Sequence, residues 1–147
     1  MTGPDRVPPG LAGRHTIDRV MPSVAAALGA PGFGNPLSLP EAARYVVLLV
    51  DGLGQTLLEE NADAAPFLSS LTGVPDVVCG VPSTTVTSLT SLGTGLSAGE
   101  HGMVGYTSRV PETGQRFNAL KWDQPVDPLL WQPHPTVLER LRASGIS

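Results

Sequence analysis

The chain has 147 residues, with 9 Lys and Arg against 13 Asp and Glu, which gives a formal net charge of −4. Its 17 Gly and 15 Pro indicate many turns around short strands, and argue against a helical bundle. No Lys/Arg cluster is present to contact phosphate backbones, which argues against a nucleic-acid polymer as partner. Because the chain has neither a membrane span of ~18 apolar residues nor a signal-peptide core, we expect a soluble, cytoplasmic protein.

Residues 1–44 are predicted to form an irregular N-terminal segment that contains one helix. Thr16 is the predicted N-cap of this helix, and Gly29 is its predicted end. Pro22 lies within the pattern and must either kink the helix or restart it. The apolar residues that recur at helical spacing are Ile17, Val20, Met21, Val24 and Leu28.

The next element is a continuous apolar run over residues 45–50, which ends in Asp51-Gly52. Such a run, bounded by turn residues, predicts a strand buried on both faces of a parallel sheet. Ligands collect at the carboxyl ends of such strands, so Asp51 is well placed to bind a divalent metal. Asp51 could equally cap the short helix predicted from Gln55, and its position alone favours neither interpretation.

A second buried strand is predicted over residues 77–81, with Cys79 as a small core residue. Residues 84–94 follow as a predicted helix, because their apolar side chains fall three apart. Thr84 and Thr85 lie at its start, where the helix dipole and free N–H groups suit a phosphate. On local grounds alone, simple N-capping by these hydroxyls is the favoured interpretation.

The C-terminal third predicts a hairpin over residues 104–120 and a short amphipathic helix over residues 135–143. Another short helix is predicted to open at Pro66, upstream of these elements. Gly145 is expected to end the last helix, and Ile146 to be the first residue of a further strand. An α/β unit that stops there is expected to be a piece of a longer domain.

Two short motifs are expected to be decoys. Gly52-Leu53-Gly54 follows a predicted strand, but the third glycine of a dinucleotide-binding fingerprint is replaced by Leu57. Gly95-Leu96-Ser97-Ala98-Gly99 matches the serine-hydrolase pattern, which requires a strand before the serine. A helix is predicted there instead, so we do not expect Ser97 to be a nucleophile.

Three segments in series resemble one family, the type I phosphodiesterase/nucleotide pyrophosphatase branch of the alkaline phosphatase superfamily. They are the apolar run into Asp51-Gly52, the stretch from Pro82-Ser83-Thr84-Thr85 to Gly93-Thr94-Gly95, and Glu100-His101-Gly102. The resemblance implies an α/β fold, an alkaline phosphatase-like sandwich with a central, mostly parallel sheet flanked by helices and incomplete in this chain. Residues 45–147 would be the N-terminal part of that catalytic domain.

The resemblance also implies roles for individual residues. Asp51 would be a ligand of one of two divalent metal ions, which the resemblance implies are zinc, and Thr85 would be the nucleophile and a second ligand. The resemblance implies that one zinc activates the Thr85 hydroxyl, and that a phosphothreonine intermediate is then hydrolysed. Tyr106 stands where well-known members have an asparagine that contacts phosphate, so it is a candidate substrate-binding residue. His101 would be structural.

The implied function is metal-dependent hydrolysis of phosphodiester or pyrophosphate bonds in a small-molecule phosphate ester. A phosphomonoesterase or phosphomutase of the same superfamily is an alternative, as is a non-catalytic remnant or binding module. The other metal ligands of the family, including an Asp-His pair, do not occur in this sequence. We therefore expect an N-terminal fragment that is inactive alone.

Overall fold

The computed structural model describes residues 13–71, 77–122 and 125–146. Its strands are β1 (His15–Thr16), β2 (Val77–Val78), β3 (Thr107–Arg109) and β4 (Arg116–Asn118). Its α-helices are α1 (Val20–Ala27), α2 (Gln55–Glu60), α3 (Pro66–Ser70), α4 (Thr85–Thr94), α5 (Ala98–His101), α6 (Pro128–Trp131) and α7 (Val137–Ala143). Short 3-10 helices cover Ile17–Arg19 and Ala62–Ala64.

The strands form two separate two-stranded sheets. β1 pairs in parallel with β2, with His15 opposite Val77. β3 and β4 form the predicted antiparallel hairpin, with Ser108 opposite Phe117. The described part of the chain is therefore mixed α/β, as expected, but it lacks the central, mostly parallel sheet that the resemblance implied.

Residues 45–50, the predicted central strand, belong to no strand. From Val46 to Val50 the apolar side chains are between 41% and 93% exposed. A strand needs a hydrogen-bonded neighbour, and an apolar run becomes buried only when other elements cover both of its faces. Within the described ranges no strand pairs with this segment, which explains why the prediction fails here.

Pro22 restarts the N-terminal helix and does not kink it. The 3-10 helix Ile17–Arg19 comes first, and α1 then begins at Val20, which places Pro22 in its first turn. The N–H groups of a first turn have no partner inside the helix, so the missing proline N–H costs little there. Thr16 precedes the 3-10 helix without capping it, because its hydroxyl donates to the Asp18 carboxylate.

The packed centre of the molecule lies between α1 and α7. Ala25 and Val137 are fully buried there, and Ala30 and Leu141 complete the cluster. Met21, Phe33 and Ile146 pack against it, and the Arg140 guanidinium lies 4.2 Å from the centre of the Phe33 ring. Ile146 thus packs against this core, and the strand predicted to begin there would extend outside the described residues.

Helix α4 packs against the 3-10 helix Ile17–Arg19, α1, α5 and α7. Its observed bounds confirm the predicted helix over residues 84–94. Gly95 ends it in a left-handed conformation at φ 72°, and an added Cβ there would lie 2.7 Å from Pro22 Cγ. The helix end and the first turn of α1 are therefore in close contact.

No helix among the described residues is long and apolar enough to cross a membrane.

Candidate active site

The start of α4 separates the two candidate threonines. Thr84 is the N-cap, and its hydroxyl accepts a hydrogen bond from the Thr87 N–H at 3.4 Å. The same hydroxyl lies 2.9 Å from the hydroxyl of Thr87. Thr85 is the first helical residue, so its side chain has no capping role. Capping therefore occupies Thr84 and leaves the Thr85 hydroxyl free for another partner.

That partner is Asp51. The Thr85 hydroxyl donates a hydrogen bond to a carboxylate oxygen of Asp51 at 3.1 Å, across 34 positions of sequence. Asp51 does not cap α2, because the N-cap of that helix is Gly54 and no side chain bonds there. Gly52 has φ 77°, a conformation that glycine adopts without strain, and it turns the chain directly after Asp51. The two residues singled out in the sequence thus meet in space.

A cleft of about 380 Å³ opens beside this pair. Hydroxyl groups of Ser83, Thr84, Thr85 and Ser88 line one part of it. The remaining lining residues are Ile17, Leu49, Val50, Asp51, Gly52, Leu53, Gly54, Cys79 and Leu89. The cleft therefore combines a carboxylate and several hydroxyls with apolar walls.

Sequence reasoning missed several of these lining residues. Ser88 lies one helical turn after Thr85, a spacing that brings side chains to one face and could have revealed it. Ile17 comes from the N-terminal segment, and nothing local in the sequence places it at the cleft. Cys79 is exposed, so its interpretation as a core residue was wrong. It follows a two-residue strand, which is too short to bury it.

Tyr106 does not line this cleft. It precedes β3, its side chain is 51% exposed, and it is not among the cleft-lining residues. Its carbonyl oxygen accepts a hydrogen bond from the Ala119 N–H at 2.8 Å, which extends the hairpin. The structure therefore brings together Asp51 and Thr85 but does not add Tyr106 to them.

Asp51 and Thr85 supply part of the donor set that a divalent metal centre needs. Asp51 and Thr85 offer a carboxylate and a hydroxyl oxygen 3.1 Å apart, and both are suitable ligands for a hard or borderline cation. Over the described ranges, no group of three or more His, Cys, Asp or Glu side chains could hold a metal ion. The pair therefore fits two positions of a coordination shell and leaves the others to further ligands.

Ser97 acts as a helix cap. Its hydroxyl and its backbone N–H both donate to the Glu100 carboxylate, at 2.7 and 2.8 Å, in a capping box that opens α5. These bonds hold the pKa of Glu100 below its ordinary value of 4.5. Helix α4 precedes the motif, so the strand required by a serine-hydrolase elbow is missing, as predicted.

His101 is buried at the end of α5, where both ring nitrogens have protein partners. Its Nε2 lies 2.9 Å from the Ser91 hydroxyl, and its Nδ1 accepts a hydrogen bond from the Met103 N–H at 3.0 Å. Burial is the main cause that lowers the pKa of His101 below 6.5, with a smaller contribution from nearby His134. Both ring nitrogens are therefore committed to holding the chain together around α4.

A family model for type I phosphodiesterase / nucleotide pyrophosphatase matches residues 45–147. The matched region contains both Asp51 and Thr85, along with the helix that carries Thr85. Comparison with curated proteins finds no match, and neither does comparison with solved structures. Because the family match covers well over half of the sequence, the chain belongs to the type I phosphodiesterase/nucleotide pyrophosphatase family.

Proposed function

We propose that this chain carries the nucleophile and the first metal ligand of an enzyme that hydrolyses phosphodiester or pyrophosphate bonds. The single observation that supports this most is the hydrogen bond between Thr85 and Asp51 at 3.1 Å. It joins a hydroxyl at a helix N-terminus to a carboxylate, beside an open cleft. The fold of the complete domain would be the alkaline phosphatase-like sandwich with its central sheet.

Thr85 is the residue we assign as nucleophile. It occupies the first turn of α4, where backbone N–H groups and the helix dipole favour a negatively charged group. Its hydroxyl faces Asp51 and the cleft, whereas the neighbouring Thr84 hydroxyl is used within the helix. The N-terminal end of α4 thus orients one hydroxyl and can hold phosphate oxygens near it.

The covalent step follows from that placement. The bond between Thr85 Oγ and phosphorus forms while the bond from phosphorus to the departing oxygen breaks, and that oxygen leaves with a proton. Water then attacks the phosphorus of the covalent threonine ester while the bond from phosphorus to Thr85 Oγ breaks, so a phosphate monoester leaves and Thr85 regains its hydroxyl proton. This sequence needs no oxidant or reductant, and it uses water as the second nucleophile.

Asp51 would hold a divalent metal ion together with Thr85. The metal, when bound, would favour the ionised threonine and offset charge on the attacked phosphate. In the chain itself, the Asp51 carboxylate accepts the threonine O–H and so fixes its rotamer. Further ligands are needed for a complete centre, so we propose that the 147-residue chain alone is inactive.

The test is an assay of the protein encoded by the complete reading frame that contains this sequence. We expect it to hydrolyse a synthetic phosphodiester, bis-p-nitrophenyl phosphate, and to lose this activity to a chelator. Thr85→Ala should lower kcat by about 10³-fold or more, because the covalent step is lost. Thr85→Ser keeps a hydroxyl and should keep measurable turnover.

Ser97→Ala is the matched control, since Ser97 caps α5 and is expected to leave kcat largely unchanged. Faster turnover of p-nitrophenyl phosphate than of the diester would favour a phosphomonoesterase. A Thr85→Ala variant with undiminished turnover would refute the nucleophile assignment. Absence of turnover by the complete protein, with or without added zinc, would favour a non-catalytic binding module.

A further inference from the structure

The ring of His101 connects three parts of the chain around α4. His101 ends α5 and is only 5% exposed. One ring nitrogen meets Ser91, which is itself 2% exposed in the second half of α4. The other meets the backbone N–H of Met103, in the segment that leads to β3. The ring therefore ties α4 to the chain that follows α5.

The two hydrogen bonds fix the protonation state of this ring. A backbone N–H can only donate, so the Nδ1 of His101 must carry a lone pair to accept from Met103. The single proton of a neutral imidazole then lies on Nε2 and is donated to the Ser91 hydroxyl. A protonated ring would direct a second N–H at the Met103 N–H and break that bond.

Three ionisable side chains act on the His101 ring from neighbouring parts of the chain. Asp18, on the 3-10 helix, and Glu100, on α5 itself, favour the protonated ring, whereas His134, ahead of α7, disfavours it. Asp18 is already paired with Arg19 at 3.1 Å, and α4 has no charged side chain. Burial, with the smaller effect of His134, outweighs the two carboxylates, so the pKa of His101 lies below its ordinary value of 6.5.

We propose that His101 is a positioning residue for Thr85, and that protonation of its ring releases this constraint on α4. The effect on catalysis rests on the proposed function, whereas the hydrogen bonds of His101 and their response to protonation do not. Ser91 lies six residues after Thr85 in the same helix, or about 9 Å along the helix axis. A protonated ring keeps its Nε2–H bond to Ser91 but loses the bond to Met103, so α4 is no longer tied to the chain that follows α5. Because a helix moves largely as one body, this freedom at Ser91 changes how Thr85 meets Asp51.

The exposed end of this helix makes the effect measurable. The Thr85–Asp51 contact is a single exposed hydrogen bond, whereas Thr87 and Ser91 are buried. A small change in the helix position therefore alters the Thr85–Asp51 contact more readily than the packed side of α4. The amide resonance of Thr85 reports this change without any need for turnover.

The experiment is an NMR titration of the ¹⁵N-labelled chain between pH 8 and pH 5. At pH 8 we expect His101 as the tautomer with its proton on Nε2, titrating with a midpoint below 6.5. Below that midpoint, the hydrogen-exchange protection factor of the Met103 amide should fall about fivefold to tenfold, the effect of one lost hydrogen bond. The Thr85 amide resonance should shift with the same midpoint.

Two variants serve as controls. His101→Gln can still donate to Ser91 but does not titrate, so the pH-dependent shift at Thr85 should disappear. His15→Gln removes a histidine that pairs through β1, and should leave the shift in place. A proton on Nδ1, a charged His101 at pH 7, or a Thr85 resonance unmoved through the titration would overturn the proposal. The wild-type titration decides this even if His101→Gln does not fold.

Turnover is not read in this experiment, so its failure and that of the proposed function are distinguishable. If the Thr85 resonance titrates with His101 but the complete protein hydrolyses no phosphoester, the positioning role stands and the catalytic assignment falls. If hydrolysis is found but no such titration, the catalytic assignment stands and His101 is only a packing residue.

Discussion

Two regions of the family-matched sequence differ sharply in how they are packed. In residues 45–71, neither α2 nor α3 has a buried residue, and the apolar run before them is exposed. Helix α4, by contrast, has four buried residues and contacts on several sides. The side chain of Asp51 comes from the first region and that of Thr85 from the second. One half of the candidate site therefore rests on a packed framework and the other does not.

This difference shows that the two partners have unequal support. Thr85 is positioned by α4, which packs against α1, α5 and α7. Asp51 is held by the glycine turn that follows it and by the bond to Thr85 itself. Regions with few buried apolar contacts open at lower free energy. The segment that contains Asp51 should therefore open before α4 when the protein is destabilised. Three predictions, two of them with a matched control substitution, make the comparison quantitative.

The largest effect is expected for Gly95→Ala. An added Cβ would lie 2.7 Å from Pro22 Cγ and 3.2 Å from Val137 Cγ2, in a left-handed conformation that alanine disfavours. Overpacking and backbone strain together should lower the free energy of unfolding by about 2–4 kcal/mol. Urea unfolding monitored by circular dichroism measures this loss.

Gly52→Ala is its matched control in the exposed region. Gly52 has nearly the same backbone angle, φ 77°, but nothing lies within 4 Å of an added Cβ. Only the conformational cost remains, so the loss should be about 1–2 kcal/mol. If both variants lose the same free energy of unfolding, the close contact between Gly95 and Pro22 does not contribute to the cost of Gly95→Ala.

The second substitution is Val137→Ala, in the core between α1 and α7. Val137 is fully buried, so removing two methyl groups should lower the free energy of unfolding by about 1.5–3 kcal/mol. Val46→Ala makes the same chemical change at a side chain that is 93% exposed, and should stay within about 0.5 kcal/mol. A large loss for Val46→Ala would mean that residues 45–50 are buried in solution.

The smallest effect is a pH dependence carried by Glu100. Its folded-state pKa lies below 4.5 because the Ser97 hydroxyl and N–H donate to it. The unfolded chain therefore binds the proton more readily, so this stabilisation is fully present above pH 4.5 and is lost as the pH falls further, through the lower pKa of the folded state. Thermal unfolding between pH 7 and pH 3.5 should show a smaller loss for Glu100→Gln than for wild type. Identical pH profiles would contradict this account.

Local signals predicted the packed region well. The spacing of apolar residues gave α4 nearly to the residue, since Thr84 caps it and Gly95 ends it. The turn between β3 and β4 was visible in Pro111-Glu112-Thr113-Gly114, and the hairpin prediction is confirmed. Each of these elements depends on residues that are close in sequence, so the pattern of one amino-acid sequence is enough to predict them.

Long-range features could not be predicted in the same way. The apolar run of residues 45–50 indicated a buried strand, but burial depends on partner strands that its own residues do not specify. The pairing of β1 with β2, and the position of Ile17 at the cleft, join distant parts of the chain. For the candidate site, the meeting of Asp51 and Thr85 was expected from a family resemblance, and no local rule implied it.

From the exposure of residues 45–50 we also expect an effect on how the protein behaves at high concentration. This segment combines high β-propensity with no charge and no proline, the composition that promotes aggregation through intermolecular β-sheets. Arg44 and Asp51 stand at its two ends, where charges act as gatekeepers against such pairing. Asp51→Asn removes one of the two charges, so solubility has to be measured alongside activity before any loss is assigned to the proposed role of Asp51 at the site.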